Sequence, residues 1–326
     1  MLGAMNQLDT KMLKQVLFLT VVSYALSRLL IGNLLFTIPL MVLAPKFSNR
    51  REALFPVGLV AALLVITEFF RAEGALSSPE GRLLLVIGMF IPIVLLVASA
   101  VWIALDDRRT FYRYLASSMF GIVASVVVVI WFTRPNEALQ RVDSAMFETF
   151  RTLLGGTTGG TQPSLETPGV ALEGLYRMSV MAIGAMLAPL CMVLVGFTSF
   201  MAMSYQARFD GSFNVRVSRW KVPEVTLWVF LGSWTLVLLL ILAKATYLYR
   251  ALALQAALAS SVLYAVQGMA IVVHVVLRKG IAVNTTRLFS TLFLLAFLIP
   301  GVNVLVVFVL PLLGVTETWI MYRRNE

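Results

Sequence analysis

Long apolar runs separated by short charged segments make up most of this sequence. Six of these runs are long enough to cross a bilayer, and they lie at residues 53–70, 83–105, 111–132, 176–203, 222–243 and 251–277. An α-helix needs about 20 residues to cross the hydrocarbon layer, and only a helix satisfies its own backbone hydrogen bonds in lipid. The pattern therefore predicts an all-α, polytopic transmembrane helical bundle with six clear spans.

Two further apolar stretches, residues 16–44 and 288–320, are interrupted near their centres. The interrupting residues are Arg28, Gly32 and Asn33 in the first stretch and Pro300, Gly301 and Asn303 in the second. Each stretch is either one long, kinked helix or a broken hairpin of two short helices, and periodicity fits both.

The distribution of basic residues favours the two hairpins. If both stretches turn back, 17 of the 26 Lys and Arg residues lie on one side of the membrane, together with both termini. The other side then carries Arg71, Arg82, Arg134, Arg141, Arg151, Arg177, Lys244 and Arg250. Because cytoplasmic loops are rich in Lys and Arg, both termini are predicted to be cytoplasmic.

The composition agrees with a single integral membrane domain over residues 1–326. Hydrophobic residues make up 60% of the chain and charged residues 13%, with a mean hydropathy of +0.89. A soluble domain carries about twice that share of charged residues, so a cytosolic enzyme is excluded. The net charge of +10 is explained by the concentration of Lys and Arg on the cytoplasmic side of the spans. We therefore expect the lipid bilayer, and not nucleic acid, as the partner.

The only long external segment is residues 133–175. Its first part, 135–154, places apolar residues on one face and charged residues on the other, which predicts a helix lying at the membrane interface. A Gly/Thr/Pro-rich linker follows this helix.

The sequence offers little for catalysis. His274 is the only histidine, so a two-histidine zinc site cannot form within the chain. The only adjacent acidic pair, Asp106 and Asp107, precedes two arginines in a tight loop, and a solvated turn is the simpler interpretation. We expect no enzymatic activity, no metal and no cofactor.

Charged and aromatic residues at the external ends of the spans are the best candidates for ligand binding. They are Arg28, Glu68, Arg71, Trp131, Lys244 and Tyr247. Each also has a simpler interpretation: Glu68 and Arg71 are spaced to form a surface ion pair, and the aromatic residues suit interfacial anchors. Arg28 either faces the protein interior or a water-filled cavity, or sits at a hairpin bend where its side chain reaches the interface.

The carboxyl-terminal residues 311–324 read PLLGVTETWIMYRR. This ending resembles the YybS-like family of uncharacterised bacterial polytopic membrane proteins, in which a last span closes with a glycine, an acidic residue, an aromatic residue and a basic pair. The matching positions are Gly314, Glu317, Trp319, Arg323 and Arg324. The segment WKVPE, which ends at Glu224 and opens a span, is similar to a second feature of that family.

The resemblance implies a bacterial cytoplasmic (inner) membrane location and coupling residues at the cytoplasmic face. It also implies a fold distantly similar to the S components of energy-coupling-factor transporters, which capture a small molecule from outside and dock onto an energising module. The chain departs from S components in residues 16–44, which lack the small-xxx-small alanine pattern of the docking surface.

Two functions follow as hypotheses. The first is a small-molecule binding or transport subunit resembling an S component, because irregular backbone in a membrane is found where it lines a cavity. The alternative is a membrane anchor or scaffold whose basic cytoplasmic face binds a membrane protein partner or anionic lipid.

Overall fold

The computed structural model describes the chain except residues 1, 30–31, 48, 135–136, 158–167, 208–212, 281–283, 300–303, 321 and 324–326. In the described residues every regular element is helical. The helices are α1 (Leu2–Ser27), α2 (Ile38–Leu43), α3 (Arg50–Arg71), α4 (Pro79–Ala104), α5 (Thr110–Phe132), α6 (Glu137–Thr157), α7 (Pro168–Gln206), α8 (Phe213–Ser218), α9 (Val225–Leu242), α10 (Tyr247–Arg278), α11 (Thr285–Leu298) and α12 (Leu310–Thr316).

Six of these helices are long and apolar enough to cross a membrane, namely α3, α4, α5, α7, α9 and α10. They coincide with the six predicted spans, which confirms the prediction of an all-α polytopic bundle. The chain is therefore an integral membrane protein.

The first interrupted stretch folds as a hairpin. The Ser23 hydroxyl in α1 donates to the backbone carbonyl of Phe36, and Lys46 Nζ donates to Gln15 Oε1 at 3.0 Å. The second arm therefore runs back beside α1, through α2 and 3-10 turns at Gly32–Leu34 and Ala44–Lys46.

Gly32 makes this reversal possible. A Cβ atom at this position would lie 2.3 Å from the carbonyl oxygen of Leu26, which no side chain could tolerate without moving the backbone. The absence of a side chain lets the chain turn tightly against the end of α1.

The second interrupted stretch also returns to the end of the bundle where it started. α11 has 14 residues, about 21 Å at 1.5 Å per residue, which is too short to cross the bilayer. Thr286 at its start shares a hydrogen bond with Ser204 near the end of α7, and Arg323 after α12 donates to Ser218 beside the same end. The predicted breakers Pro300, Gly301 and Asn303 lie outside the described residues; a π-helical turn, Leu305–Val309, leads into α12.

The two ends of the bundle are distinguished by their connections. One end, here termed the basic end, carries the start of α3, the α4–α5 loop, α8 and the carboxyl end of α10, with Arg50, Arg108, Arg109, Arg219 and Lys279. The opposite end carries the carboxyl end of α3, α6 and the α9–α10 connection.

α10 is the central helix and α9 the most peripheral. In the most apolar 18 residues of α10, 56% of the residues are buried, whereas in the same stretch of α9 only 6% are buried. α10 packs against α7, α9 and α12, and α7 packs in turn against α5. α9 is apolar all round, and exposed side chains such as Trp228 suit contact with lipid.

A helix is present over the segment predicted to be helical, as α6 at the opposite end. Arg141 donates to Glu80 at the start of α4 at 3.1 Å, and the Tyr176 hydroxyl of α7 donates to Asp143 Oδ1 at 2.7 Å. The ring of Phe147 meets Tyr176 edge-on, with centroids 5.3 Å apart. These contacts hold α6 against α4 and α7. Most of the predicted linker lies outside the described residues.

Candidate functional site

A cleft of about 310 Å³ opens at the basic end between the first hairpin and the α4–α5 loop. Its apolar lining includes Ala44 and Phe47 from the hairpin arm, Ala53 from α3 and Ile103 from α4. Ala53 and Ile103 are buried, so they form the floor of the cleft.

Four charged side chains lie around this floor: Arg50, Asp106, Asp107 and Arg113. The acidic pair comes from the tight turn between α4 and α5, and Arg50 begins α3. The turn is solvated, as the sequence indicated, since both aspartates are more than half exposed. It also places both carboxylates at the mouth of the cleft.

Arg113 is the firmly held cation of the cleft. Its Nε donates to the Trp102 carbonyl at 2.6 Å, its Nη1 contacts Asp106 Oδ1 at 2.7 Å, and its guanidinium lies 4.1 Å from the centroid of the Trp102 ring. The side chain is 14% exposed. These three contacts fix the position of the guanidinium. Asp106 supplies the counter-charge to this cation, which is largely removed from solvent.

Arg50 and Asp107 form a looser pair at the mouth. A single contact of 3.0 Å joins Arg50 Nη2 to Asp107 Oδ1, and the side chains are 60% and 57% exposed. The backbone N–H of Asp107 and the Arg50 guanidinium hold the pKa of the Asp107 carboxyl below its usual value, so the carboxylate is ionised at neutral pH. Exposed ion pairs of this kind contribute little to stability. Either residue can therefore leave the other and pair with a different charged group.

A second group of polar residues closes the carboxyl-terminal segment. Arg323 donates to both oxygens of Glu317 and, through Nη1, to the backbone carbonyls of Ser218 at 2.6 Å and Trp220 at 2.8 Å. Gln267 of α10 donates to Glu317 Oε2 at 2.8 Å and accepts from the backbone N–H of Val222 at 2.8 Å. We term Glu317, Arg323 and Gln267 the carboxyl-terminal node; it ties α12, α10 and the α8–α9 connection together.

The packing beside this node depends on two facing glycines. A Cβ on Gly268 would lie 2.1 Å from the carbonyl oxygen of Leu310, and a Cβ on Gly314 would lie 2.0 Å from that of Tyr264. Glycine at both positions lets the backbones of α10 and α12 touch, as small residues do at other membrane helix interfaces.

The residues on which the resemblance to the YybS-like family rests have different environments in the structure. Gly314, Glu317 and Arg323 are interior packing or ion-pair residues, whereas Trp319 is 65% exposed. Glu224 is exposed before α9, 3.9 Å from Lys221. Arg324 lies outside the described residues.

At the opposite end, Arg28 sits just after α1 and pairs with Glu68 of α3. Arg28 Nη1 contacts Glu68 Oε1 at 2.5 Å, and Nη2 donates to Thr67 and, at 3.3 Å, to the Tyr24 hydroxyl. Each member of the ion pair is 28% exposed. Arg28 therefore occupies the hairpin bend and is matched by a carboxylate there. Glu68 is turned toward α1, and within the described residues no ion pair joins it to Arg71.

The remaining predicted ligand residues lie on other helices. Trp131 ends α5, with its ring edge-on to Phe132, and Lys244 turns the chain between α9 and α10 with φ of 48°. The Tyr247 hydroxyl donates to the Met181 carbonyl at 3.3 Å and fits against Gly184 of α7. In the part of the chain that the structure describes, no hydrogen bond or ion pair links this group to Arg28 and Glu68. Ligand binding by these residues stays a prediction.

Sequence reasoning missed Gln267, Arg50 and Arg113 as site residues. Gln267 carried a usable signal, because an uncharged polar side chain deep in a long apolar helix has to find a partner within the protein. Arg50 and Arg113 gave no such signal, since arginines at the ends of spans are expected from orientation alone.

No known protein family, curated protein or solved structure matches this chain.

Proposed function

We propose that this protein is a small-molecule binding or transport subunit of the bacterial cytoplasmic membrane, and that the cleft at the basic end is its binding site. The observation that carries the proposal is the cleft, about 310 Å³ in volume with an apolar floor and charged side chains at its mouth. Small-molecule sites have volumes of about 300–1,000 Å³ and combine apolar walls with a few placed polar groups.

The broken backbone of the first hairpin supports the same role. The 3-10 turn Ala44–Lys46 and the extended residue Phe47 interrupt the helical arm beside the cleft. In membrane proteins, irregular backbone is tolerated where protein buries it or where it lines a cavity, and transporters build binding sites from such interrupted segments.

We further propose that the basic end faces the cytoplasm and that both termini lie there. The excess of Lys and Arg at this end supports this orientation through the positive-inside rule. The cleft would then open to the cytoplasm, which differs from the external capture implied by the resemblance to S components. The described residues contain no cluster of three or more His, Cys, Asp or Glu side chains suited to hold a metal.

Blocking the cleft tests this proposal. In a Cys191→Ala background, Pro45→Cys and Lys46→Cys introduce thiols at neighbouring exposed positions, of which only Pro45 is among the residues lining the cleft. The detergent-purified protein is screened against a metabolite panel by thermal shift and native mass spectrometry. Both variants should bind before modification, and a bulky maleimide should abolish binding at position 45 and leave it intact at position 46. If no small molecule binds the unmodified protein, the proposal is wrong.

The second candidate function is a scaffold for anionic lipid or a membrane protein partner. The observation that favours it is the set of exposed cations on the basic end, including Arg51, Arg108, Arg109, Arg219 and Lys279. Such clusters bind anionic lipid headgroups. Cross-linking in cells separates the two functions, because a scaffold should return one stable protein partner whether or not the cleft is blocked.

A further inference from the structure

The four charges of the cleft balance, but they are held with very different firmness. Arg113 is fixed by the Trp102 carbonyl and ring and is 14% exposed, and its ion-pair partner Asp106 is 61% exposed. Arg50 and Asp107 meet through one contact of 3.0 Å, and both are more than half exposed. Arg113 completes the wall of the cleft, whereas Arg50 and Asp107, the loose pair, are free to change partners.

We infer that the cleft binds a small zwitterion, with its anionic group on Arg50 and its cationic group on Asp107. This inference rests on the proposed function and names the ligand class of the same site. A zwitterion that enters between these two side chains gives each a new partner of opposite charge. A ligand with one charge would form one charge-assisted contact instead of two, so it would bind more weakly.

The surroundings of the loose pair suit the two ends of such a ligand. Asn49, beside Arg50, lines the cleft, and its side chain makes no capping hydrogen bond to α3. Its amide is therefore available to a ligand as donor and acceptor. The backbone at the start of α3 adds partial positive charge on the Arg50 side. On the other side, the Asp107 carboxylate itself supplies the counter-charge to the cationic group.

The geometry also limits the size of the ligand. Arg50 and Asp107 are already within 3.0 Å, so the two ligand charges must be only a few bonds apart. The apolar floor formed by Ala53 and Ile103 accepts an aliphatic part, within a total volume of about 310 Å³. An α-amino acid, a short ω-amino acid or a betaine has this form.

The test compares each zwitterion with matched molecules that lack one charge. The probes are the protein amino acids, γ-aminobutyrate and glycine betaine, each beside the amine without its carboxylate and the acid without its amine. Binding to the full-length protein in detergent is measured by equilibrium dialysis and thermal shift. At least one zwitterion should bind, and its matched amine and acid should bind about tenfold to a hundredfold more weakly.

Two exposed variants make the assignment of ends specific. Arg50→Ala and Asp107→Ala should each weaken zwitterion binding about tenfold or more. Asp107→Ala should also bind the acid more tightly than the unchanged protein does, because Arg50 has lost its internal partner; Arg50→Ala should do the same for the amine. Arg51→Ala is the control and should bind the zwitterion as before.

The possible failures are distinguishable. If a singly charged or neutral molecule binds the cleft as tightly as the best zwitterion, or if only such molecules bind, the inference is wrong and the proposed function stands. If neither these probes nor the wider metabolite panel bind the protein, both fail. Equal loss of binding in Arg51→Ala and Arg50→Ala would also overturn the assignment of Arg50.

Discussion

Arg323 contacts Glu317 through two parallel hydrogen bonds of 2.5 Å, from Nε to Oε1 and from Nη2 to Oε2. The side chains are only 12% and 6% exposed. A bidentate, largely buried ion pair holds one geometry, and the backbone carbonyls of Ser218 and Trp220 accept hydrogen bonds from Arg323 Nη1. The pair therefore fastens the segment after α12 to the α8–α9 connection.

Removing one partner of this pair should destabilise the protein strongly. We expect Glu317→Ala to lower the free energy of unfolding by about 3–5 kcal/mol, because it leaves the Arg323 charge buried without its counter-charge. Glu224→Ala is the control, since Glu224 is 85% exposed and lies 3.9 Å from Lys221. Denaturation of the detergent-solubilised protein, followed by tryptophan fluorescence, gives both values. If the two substitutions lower the free energy of unfolding equally, the buried pair contributes no more to stability than the exposed one.

Adding a methyl group between α10 and α12 should force the helices apart. We expect Gly268→Ala or Gly314→Ala to cost about 1–3 kcal/mol or more, because each Cβ would overlap a backbone carbonyl. Gly232→Ala in α9 is the matched control, because nothing lies within 4 Å of a Cβ there. It should be neutral or slightly stabilising, since alanine favours a helix. Thermal unfolding in detergent measures all three variants. Destabilisation by Gly232→Ala without destabilisation by Gly268→Ala or Gly314→Ala would contradict the prediction.

The Arg28–Glu68 pair should stabilise the first hairpin against α3. Arg28→Ala should cost about 1 kcal/mol, a moderate value because each side chain is 28% exposed. Arg71→Ala, three positions from Glu68 but outside the ion pair, should change the free energy of unfolding very little. The same denaturation assay measures both variants. An Arg71→Ala effect as large as that of Arg28→Ala would restore the surface pair expected from sequence spacing.

Accessibility of single thiols should report the proposed orientation. In the Cys191→Ala background, Lys244→Cys and Arg109→Cys lie on exposed turns at opposite ends of the bundle. A membrane-impermeant maleimide should label Lys244→Cys in intact cells and Arg109→Cys only after the membrane is permeabilised. Labelling of Arg109→Cys from outside would reverse the orientation and place the cleft on the external side.

The span positions were available from sequence because they depend on local composition. An apolar run in lipid has to satisfy every backbone N–H and C=O within itself, so its length and hydropathy are enough to predict a helix. The predicted spans match α3, α4, α5, α7, α9 and α10 for this reason. α6 was predictable too, because its apolar and charged faces alternate with helical period.

The ion-pair partner of a given residue could not be predicted from the sequence in this way. Arg28 was recognised as costly to bury, but sequence spacing assigned Glu68 to Arg71, three residues along the same helix. The structure brings Arg28 to Glu68 across 40 residues of chain, because the first hairpin returns α1 to the side of α3. A contact of this range depends on where two helices pack, and an apolar surface facing lipid resembles one facing protein.

By itself, the sequence determined a six-span α-helical membrane protein, its two interrupted stretches and the separation of its charges. Only the tertiary structure decided that Gly268 faces Gly314, that Gln267 joins Glu317 and Arg323, and that Arg50 and Asp107 share one cleft. The physical reason is that lipid imposes helices through backbone hydrogen bonding, residue by residue. It gives no comparable signal for helix pairing, which follows from close packing and the few polar groups that must meet.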